Sequence, residues 1–211
     1  MKPEYIVYCI AIIVLVTYIY NSAYNPNLIH VKSTYDNQTY LVQNKPDKLE
    51  AANLFAQLRE KIELFVSKLK EKYGTSDERV NRFLKKFKID AIREAVPNSN
   101  QTSYTINKGE KIIVCVRSRN SENKLTDLNT ILFVVLHELA HIMTISIGHK
   151  EEFWENFKFI LAHAIKWNIY KAEDYNSNPK PYCGIKITDS PLKNEEIPKY
   201  IKSTETRESF R

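Results

Sequence analysis

Leu136-His137-Glu138-Leu139-Ala140-His141, followed by Gly148-His149 and Phe153-Trp154, is the stretch on which the reading of this chain turns. On an α-helix each residue advances about 100°, so residues four apart lie nearly above one another. His137 and His141 therefore project from one face, one turn apart, where they can share a metal ion. Glu138 sits beside them, placed to take a proton from metal-bound water. The H-E-x-x-H spacing is that of helical zinc sites in hydrolases. Ahead of it, Ile131 to Leu136 is an unbroken apolar run, as in a helix buried on all sides. The plainer reading is a chance motif whose polar groups are solvated. Within so apolar a helix, a Glu and two His left unpaired would cost on the order of several kcal/mol, which a bound cation removes.

Downstream, Thr144, Ile145 and Ile147 are β-branched and Ser146 is polar, a poor composition for a helix interior. A helix unbroken to Gly148 would carry His149 about 12 Å along the axis from His141, out of reach of a shared metal. The helix is thus expected to stop within a few residues of His141. Gly148 then turns the chain and a short loop returns His149 to the metal. Glu152 and Glu155, on the next helix, are the alternatives for a third ligand. His30 and His163 are expected to bind no metal. That next helix carries Phe153, Phe157, Ile160, Leu161, Ala164 and Ile165 on one face. Thr126 or Asp127 is the expected cap of the metal helix, which begins at about Leu128.

Upstream, Ala51, Leu54, Phe55, Leu58, Ile62, Phe65, Val66, Leu69 and Tyr73 keep helical spacing, and Gly74 provides a stop. Thr75 and Glu78 suggest a capping box for a second helix burying Val80, Phe83, Leu84 and Phe87. Its other face carries Arg79, Arg82, Lys85, Lys86 and Lys88, a basic ridge read chiefly as solvated. Thr102–Ile106 and Lys111–Arg117 read as two strands around the turn Asn107-Lys108-Gly109. Tyr182–Ile187 is a late strand or an ordered loop. The expected class is α+β, a mainly helical domain with a small antiparallel sheet, preceded by one transmembrane helix.

That helix is Tyr5 to Tyr20, which has no charged residue and tyrosines at both ends. With the residues to Tyr24 it would reach about 30 Å, a bilayer's hydrocarbon thickness. A core helix would show a polar stripe, and Asn21-Ser22-Ala23 fits poorly as a signal-peptide cleavage site. The expected division is an anchor over 1–24, a linker over 25–46, the folded domain over 47–190 and a charged flexible tail over 191–211. The net charge of +6 permits contact with nucleic acid or anionic lipid without requiring either. Cys9, Cys115 and Cys183 form no C-x-x-C pair, so no zinc ribbon is present. A Cys115–Cys183 bridge and two free buried thiols both remain open. Asn37 and Asn100 head glycosylation tripeptides, which occur often by chance.

H-E-L-A-H, Gly148-His149 and Phe153-Trp154 together resemble the compact zincin metallopeptidases of the WLM, SprT and YgjP type. The resemblance covers roughly residues 47 to 190. It implies a zincin-like metallopeptidase fold, with Zn2+ held by His137, His141 and His149 and Glu138 as general base. It also implies a substrate-binding edge strand at Ile112, Val114 and Val116. A Lys-, Asn- and Ile-rich chain with an apolar N-terminus also looks like proteins of large DNA viruses.

The function these readings imply is a membrane-anchored zinc endopeptidase acting on a protein or peptide, by Glu138-assisted attack of zinc-bound water. Tyr182, lying after the catalytic helices, is a candidate donor to the transition state, against the plainer role of a packed tyrosine. The alternative of another class is a non-catalytic membrane or virion structural protein with a retained metal site. Glu138, kept between the two histidines, weighs against it. An intramembrane protease would need more spans than this chain offers. A nucleic-acid binder acting through the basic ridge is the remaining class.

Overall fold

The computed structural model describes residues 3–23, 27–97, 99–120, 122–193, 195, 196 and 198. The chain is α+β. Its centre is α4, Leu128–Met143, which buries Ile131, Leu132, Val135, Leu136, Leu139 and Ala140 completely. Asp127 starts this helix, its carboxylate accepting the Thr130 N–H at 2.9 Å. α5, Glu151–Lys166, packs along α4, with the Phe133 and Phe157 rings 5.4 Å apart.

α2, Lys48–Tyr73, turns its expected face inward: Phe55, Leu58, Ile62, Phe65 and Leu69 are buried. Gly74, at φ 52°, ends it by donating its N–H to Lys70 O, as the glycine predicted. α3, Glu78–Lys86, buries Val80 and Phe83. Its cap is not the Thr75–Glu78 box. The Asp77 carboxylate accepts the N–H groups of Arg79 and Val80. An ionised acceptor at the positive end of a helix satisfies two orphan donors at once, which a threonine does less strongly.

The sheet departs from expectation. β4, Tyr104–Ile106, and β5, Lys111–Val114, form the predicted antiparallel hairpin. A further strand, β3, Ile92–Glu94, pairs parallel to β5. The order is β3-β5-β4, so the sheet is mixed. β5 is therefore its middle strand, and Ile112, Val114 and Val116 are core residues exposed by 0, 0 and 1%. They lie at no edge of the sheet; the open edge beside α4 is that of β4, whose outer side is unpaired by any described strand. Three apolar side chains at alternate positions mark a buried strand, and burial on both sides is what a central strand provides.

The stretch read as a linker is folded. β1, Leu28–Lys32, and β2, Thr39–Gln43, form an antiparallel hairpin. Its turn uses Asn37 at φ 62°. Tyr40 and Val42 join the core against α2. Gln43 donates its N–H to Glu94 Oε2 at 2.7 Å and its side-chain amide to Ala95 O at 2.9 Å. Arg117, itself buried, pairs with Glu94 at 2.7 Å and with Asp47. The folded domain thus reaches back to residue 28, because the hairpin covers the charged groups on which β3 and the end of β5 close.

β6, Lys180–Tyr182, and β7, Ile185–Ile187, make a small hairpin. Cys183 in its turn is disulfide-bonded to Cys115, which settles the cysteine alternatives and ties this hairpin to the sheet. At the N-terminus, α1 spans Pro3–Ala23. Its described side chains, Glu4 to Thr17, are all exposed. Among the described residues no helix is long and apolar enough to cross a membrane, so the expected spanning helix is not supported. Most of the expected tail, 199–211 included, lies outside the described residues.

The hairpin gives a stability prediction. A chain beginning at residue 27 should unfold in urea like the full chain. One beginning at Asp47 loses two buried side chains worth about 2 kcal/mol each and should be less stable by about 3–5 kcal/mol. Equal midpoints for the two would show that 28–43 is a linker after all.

Candidate metal centre

His137 and His141 leave α4 on one face, their ring centroids 5.0 Å apart. The helix ends at Met143, two residues past His141, as the β-branched run predicted. Thr144 closes it, its N–H and its hydroxyl both donating to Ala140 O, at 3.0 and 2.7 Å. Gly148, at φ 79°, reverses the chain. His149 Nε2 then comes to 3.1 Å from His137 Nε2 and 3.2 Å from His141 Nε2. Zinc–nitrogen bonds of about 2.0–2.1 Å in tetrahedral geometry put ligand nitrogens about 3.3 Å apart. The three imidazoles fit one such ion.

Packing fixes the rings. Phe153 lies 4.8, 4.3 and 4.6 Å from the centroids of His137, His141 and His149. Trp154 stacks 5.7 Å from His149. Burial first, and then the neighbouring His141 and His149, hold the His137 imidazole down at about 3. Burial likewise brings His141 to about 4, again with help from His149. Both are neutral at pH 7 with lone pairs free, the form that ligates metal.

The alternative ligands are otherwise occupied. Glu152 accepts the N–H groups of Ile145 and Ser146 at 2.8 and 3.0 Å, and these bonds hold its carboxyl below the usual range. Glu155 pairs with Lys158 at 3.2 Å. His163 is buried in the core, in contact with Tyr73 Oη at 2.6 Å and Phe159 O at 2.8 Å. His30 is exposed on β1.

Glu138 is 4% exposed. Burial lifts its carboxyl to about 7, opposed by the Thr105 hydroxyl, which donates to Oε2 at 2.7 Å. Among the described residues Oε1 has no hydrogen-bond partner. A carboxylate so poised can accept a proton near neutral pH and give it up again. Tyr182 is buried, and its hydroxyl shares a 2.6 Å hydrogen bond with Ser103 Oγ. Burial raises the phenol above its ordinary range, so it stays protonated.

These groups open into one cleft of about 650 Å³, walled by β4, by Phe133 and Val134 of α4, by Ile147 and by Tyr182, Ile185 and Ile187. Structure adds residues that the sequence reading passed over. Thr105 holds the Glu138 carboxylate. Lys108 and Arg82 grip the end of α4 and the loop beyond it, Arg82 donating to Met143 O at 2.6 Å. Asn156 donates to the Thr144 hydroxyl at 2.9 Å. Thr105 was legible only as a strand residue, and Lys108 only as a turn residue. The basic ridge is partly consumed in this way: besides Arg82, Arg79 pairs with Asp77 and lies over the Phe159 ring.

The profile of the WLM domain matches residues 35–209. An uncharacterized protein of Acanthamoeba polyphaga mimivirus is 36% identical over 167 residues, 78% of this chain and 84% of that protein. An uncharacterized protein of Invertebrate iridescent virus 6 is 35% identical over 82 residues, 38% of this chain and 44% of that protein. Among solved structures, Wss1 from Saccharomyces cerevisiae is 23% identical, with a TM-score of 0.44, covering 61% of this chain and 85% of that one.

The Thr105 bond gives a pH prediction. A hydrogen bond to the carboxylate favours its ionised form, so Thr105→Val should raise the Glu138 pKa. A base works only when deprotonated. The acidic limb of any hydrolysis profile should therefore move to higher pH, with the alkaline limb in place. A limb that stays put, or moves down, would separate Thr105 from the base.

Proposed function

The chain belongs to the WLM domain family, and from that premise we propose that it is a zinc-dependent endopeptidase. The observation that carries this reading is the convergence of three imidazole nitrogens beside a buried, proton-accepting glutamate, along an open strand edge. His137, His141 and His149 would hold the ion. Bound zinc supplies Lewis-acid polarisation of water and of a peptide carbonyl.

The rest of the chemistry belongs to the chain. An extended peptide lies against β4 and continues the sheet, its backbone groups taking up the free N–H and C=O groups of that edge. The apolar walls of the cleft exclude water from around it. Glu138 Oε1 takes the proton of the attacking water and delivers it to the leaving amine, while Oε2 stays tied to Thr105. Neutral Tyr182, lining the same cleft, supplies a hydroxyl donor for the developing oxyanion when its bond to Ser103 is exchanged for one to substrate.

The reading also places the chain at a membrane, of the host or of a virion. α1 turns Ile6, Val7, Ile10, Ile12 and Ile13 outward, each exposed by 44% or more. So much apolar surface on one helix favours lipid contact. The substrate is then a protein or peptide within reach of that surface.

Two experiments test these proposals. Glu138→Gln keeps the shape of the side chain and loses the base. It should retain zinc and lose peptidase activity by at least about a hundredfold. Activity near wild type would refute the assignment, and a wild type inert on unfolded protein and peptides alike would favour a structural role. For the membrane, the full chain should float with phospholipid vesicles in a density gradient while a chain beginning at residue 27 stays behind. Equal flotation would remove α1 from the account.

A further inference from the structure

Apart from Phe153 and Trp154 against the His149 ring, the loop that carries His149 has its apolar side chains outside the core. Ile145 and Ile147 are 66 and 84% exposed, and neither strand nor helix runs through 144–150. What grips it is charge. The carboxylate of Glu152 takes two of its amides. The ammonium of Lys108 takes its carbonyls, donating to Thr144 O and Ser146 O at 2.8 Å each and to Ile145 O at 3.2 Å. It also reaches His141 O at 3.5 Å.

Lys108 occupies a costly backbone position for this purpose. It stands in the β4–β5 turn at φ 53°, a left-handed conformation in which a long side chain is disfavoured and Gly or Asn is the usual choice. The next residue, Gly109, brings the turn close to α4. A Cβ there would lie 3.1 Å from Lys86 O and 3.3 Å from Ile142 Cδ1. An ordinary helix-capping cation would serve the last carbonyls of α4. Lys108 instead bonds three carbonyls past the end of the helix, within the segment that returns His149.

We propose that Lys108 is the positioning residue for the third metal ligand, a tethered cation that folds 144–146 so that His149 Nε2 meets those of His137 and His141. This rests on the zinc reading above. It also joins the substrate edge to the metal: Lys108 stands two residues past the end of β4, so the strand that receives a peptide and the loop that completes the metal site are held by one turn.

The test is zinc affinity of the full chain, measured by competition with a chromophoric chelator, alongside the melting temperature of the metal-free protein. Lys108→Asn suits the left-handed turn but cannot reach the loop. It should weaken zinc by about 10- to 100-fold, the usual scale for a group that orients a ligand, without lowering the metal-free melting temperature. Lys108→Arg, which returns a cation, should recover most of the loss. In the background of His149→Ala, Lys108→Asn should cost nothing more, because the ligand it positions is gone. Zinc affinity unchanged in Lys108→Asn, or a loss fully additive with His149→Ala, would overturn the inference while leaving the metal site intact. A wild type that binds no zinc would overturn the metal reading and this inference together.

Discussion

Three imidazoles turned toward one point are best accommodated with a cation between them, and much of the fold serves to hold them there. α4 supplies two of the rings by helical repeat alone. The third has to be brought back against the direction of the helix. A stop at Met143, a reversal at Gly148 and a floor at Phe153 achieve this, with ionic grips on either side of the loop. Burial that neutralises His137 and His141 is the same burial that lifts Glu138 toward neutrality. One apolar shell therefore sets the state of both the histidines and Glu138, and Thr105 on the free edge of the sheet meets Glu138. The histidine cluster and the cleft along that edge are not separate features.

Much of this was legible in residues. The i, i+4 histidines, the β-branched run after them and Gly148 were enough to predict an early helix end and a returning His149, since each is a local steric or geometric matter. The α2 face and its Gly74 stop were legible for the same reason. What failed depended on long-range partners. β3 is three residues long, Ile92-Arg93-Glu94, and its glutamate points into the core because Arg117 and Gln43 meet it there. No periodicity announces such a strand. The resemblance made β5 an edge, and β3 instead puts it in the middle of the sheet. The 28–43 hairpin was masked in the same way: its polar turn and flanks hide Tyr40 and Val42, whose burial depends on α2. The Thr105 and Lys108 contacts join segments more than 30 residues apart and left no signal at either end.

The disulfide adds a tie on the far side of the cleft. Cys183 sits between Tyr182 and Gly184 in the β6–β7 turn, and Cys115 follows β5 directly. The wall that carries Tyr182, Ile185 and Ile187 is thereby fixed to the middle of the sheet rather than left as a free flap. Both walls of the groove, β4 and the β6–β7 hairpin, are consequently referred to the same strand. That shared reference holds the two walls in register across the cleft.

The central claim is that one zinc ion is held by His137, His141 and His149. X-ray absorption at the zinc edge of the full chain, loaded with one equivalent of metal, tests it most directly. The account predicts a first shell of nitrogen and oxygen at about 2.0–2.1 Å, four-coordinate, with the outer-shell scattering of three imidazoles. A shell containing sulfur, or one with the imidazole signature of only two histidines, would contradict it.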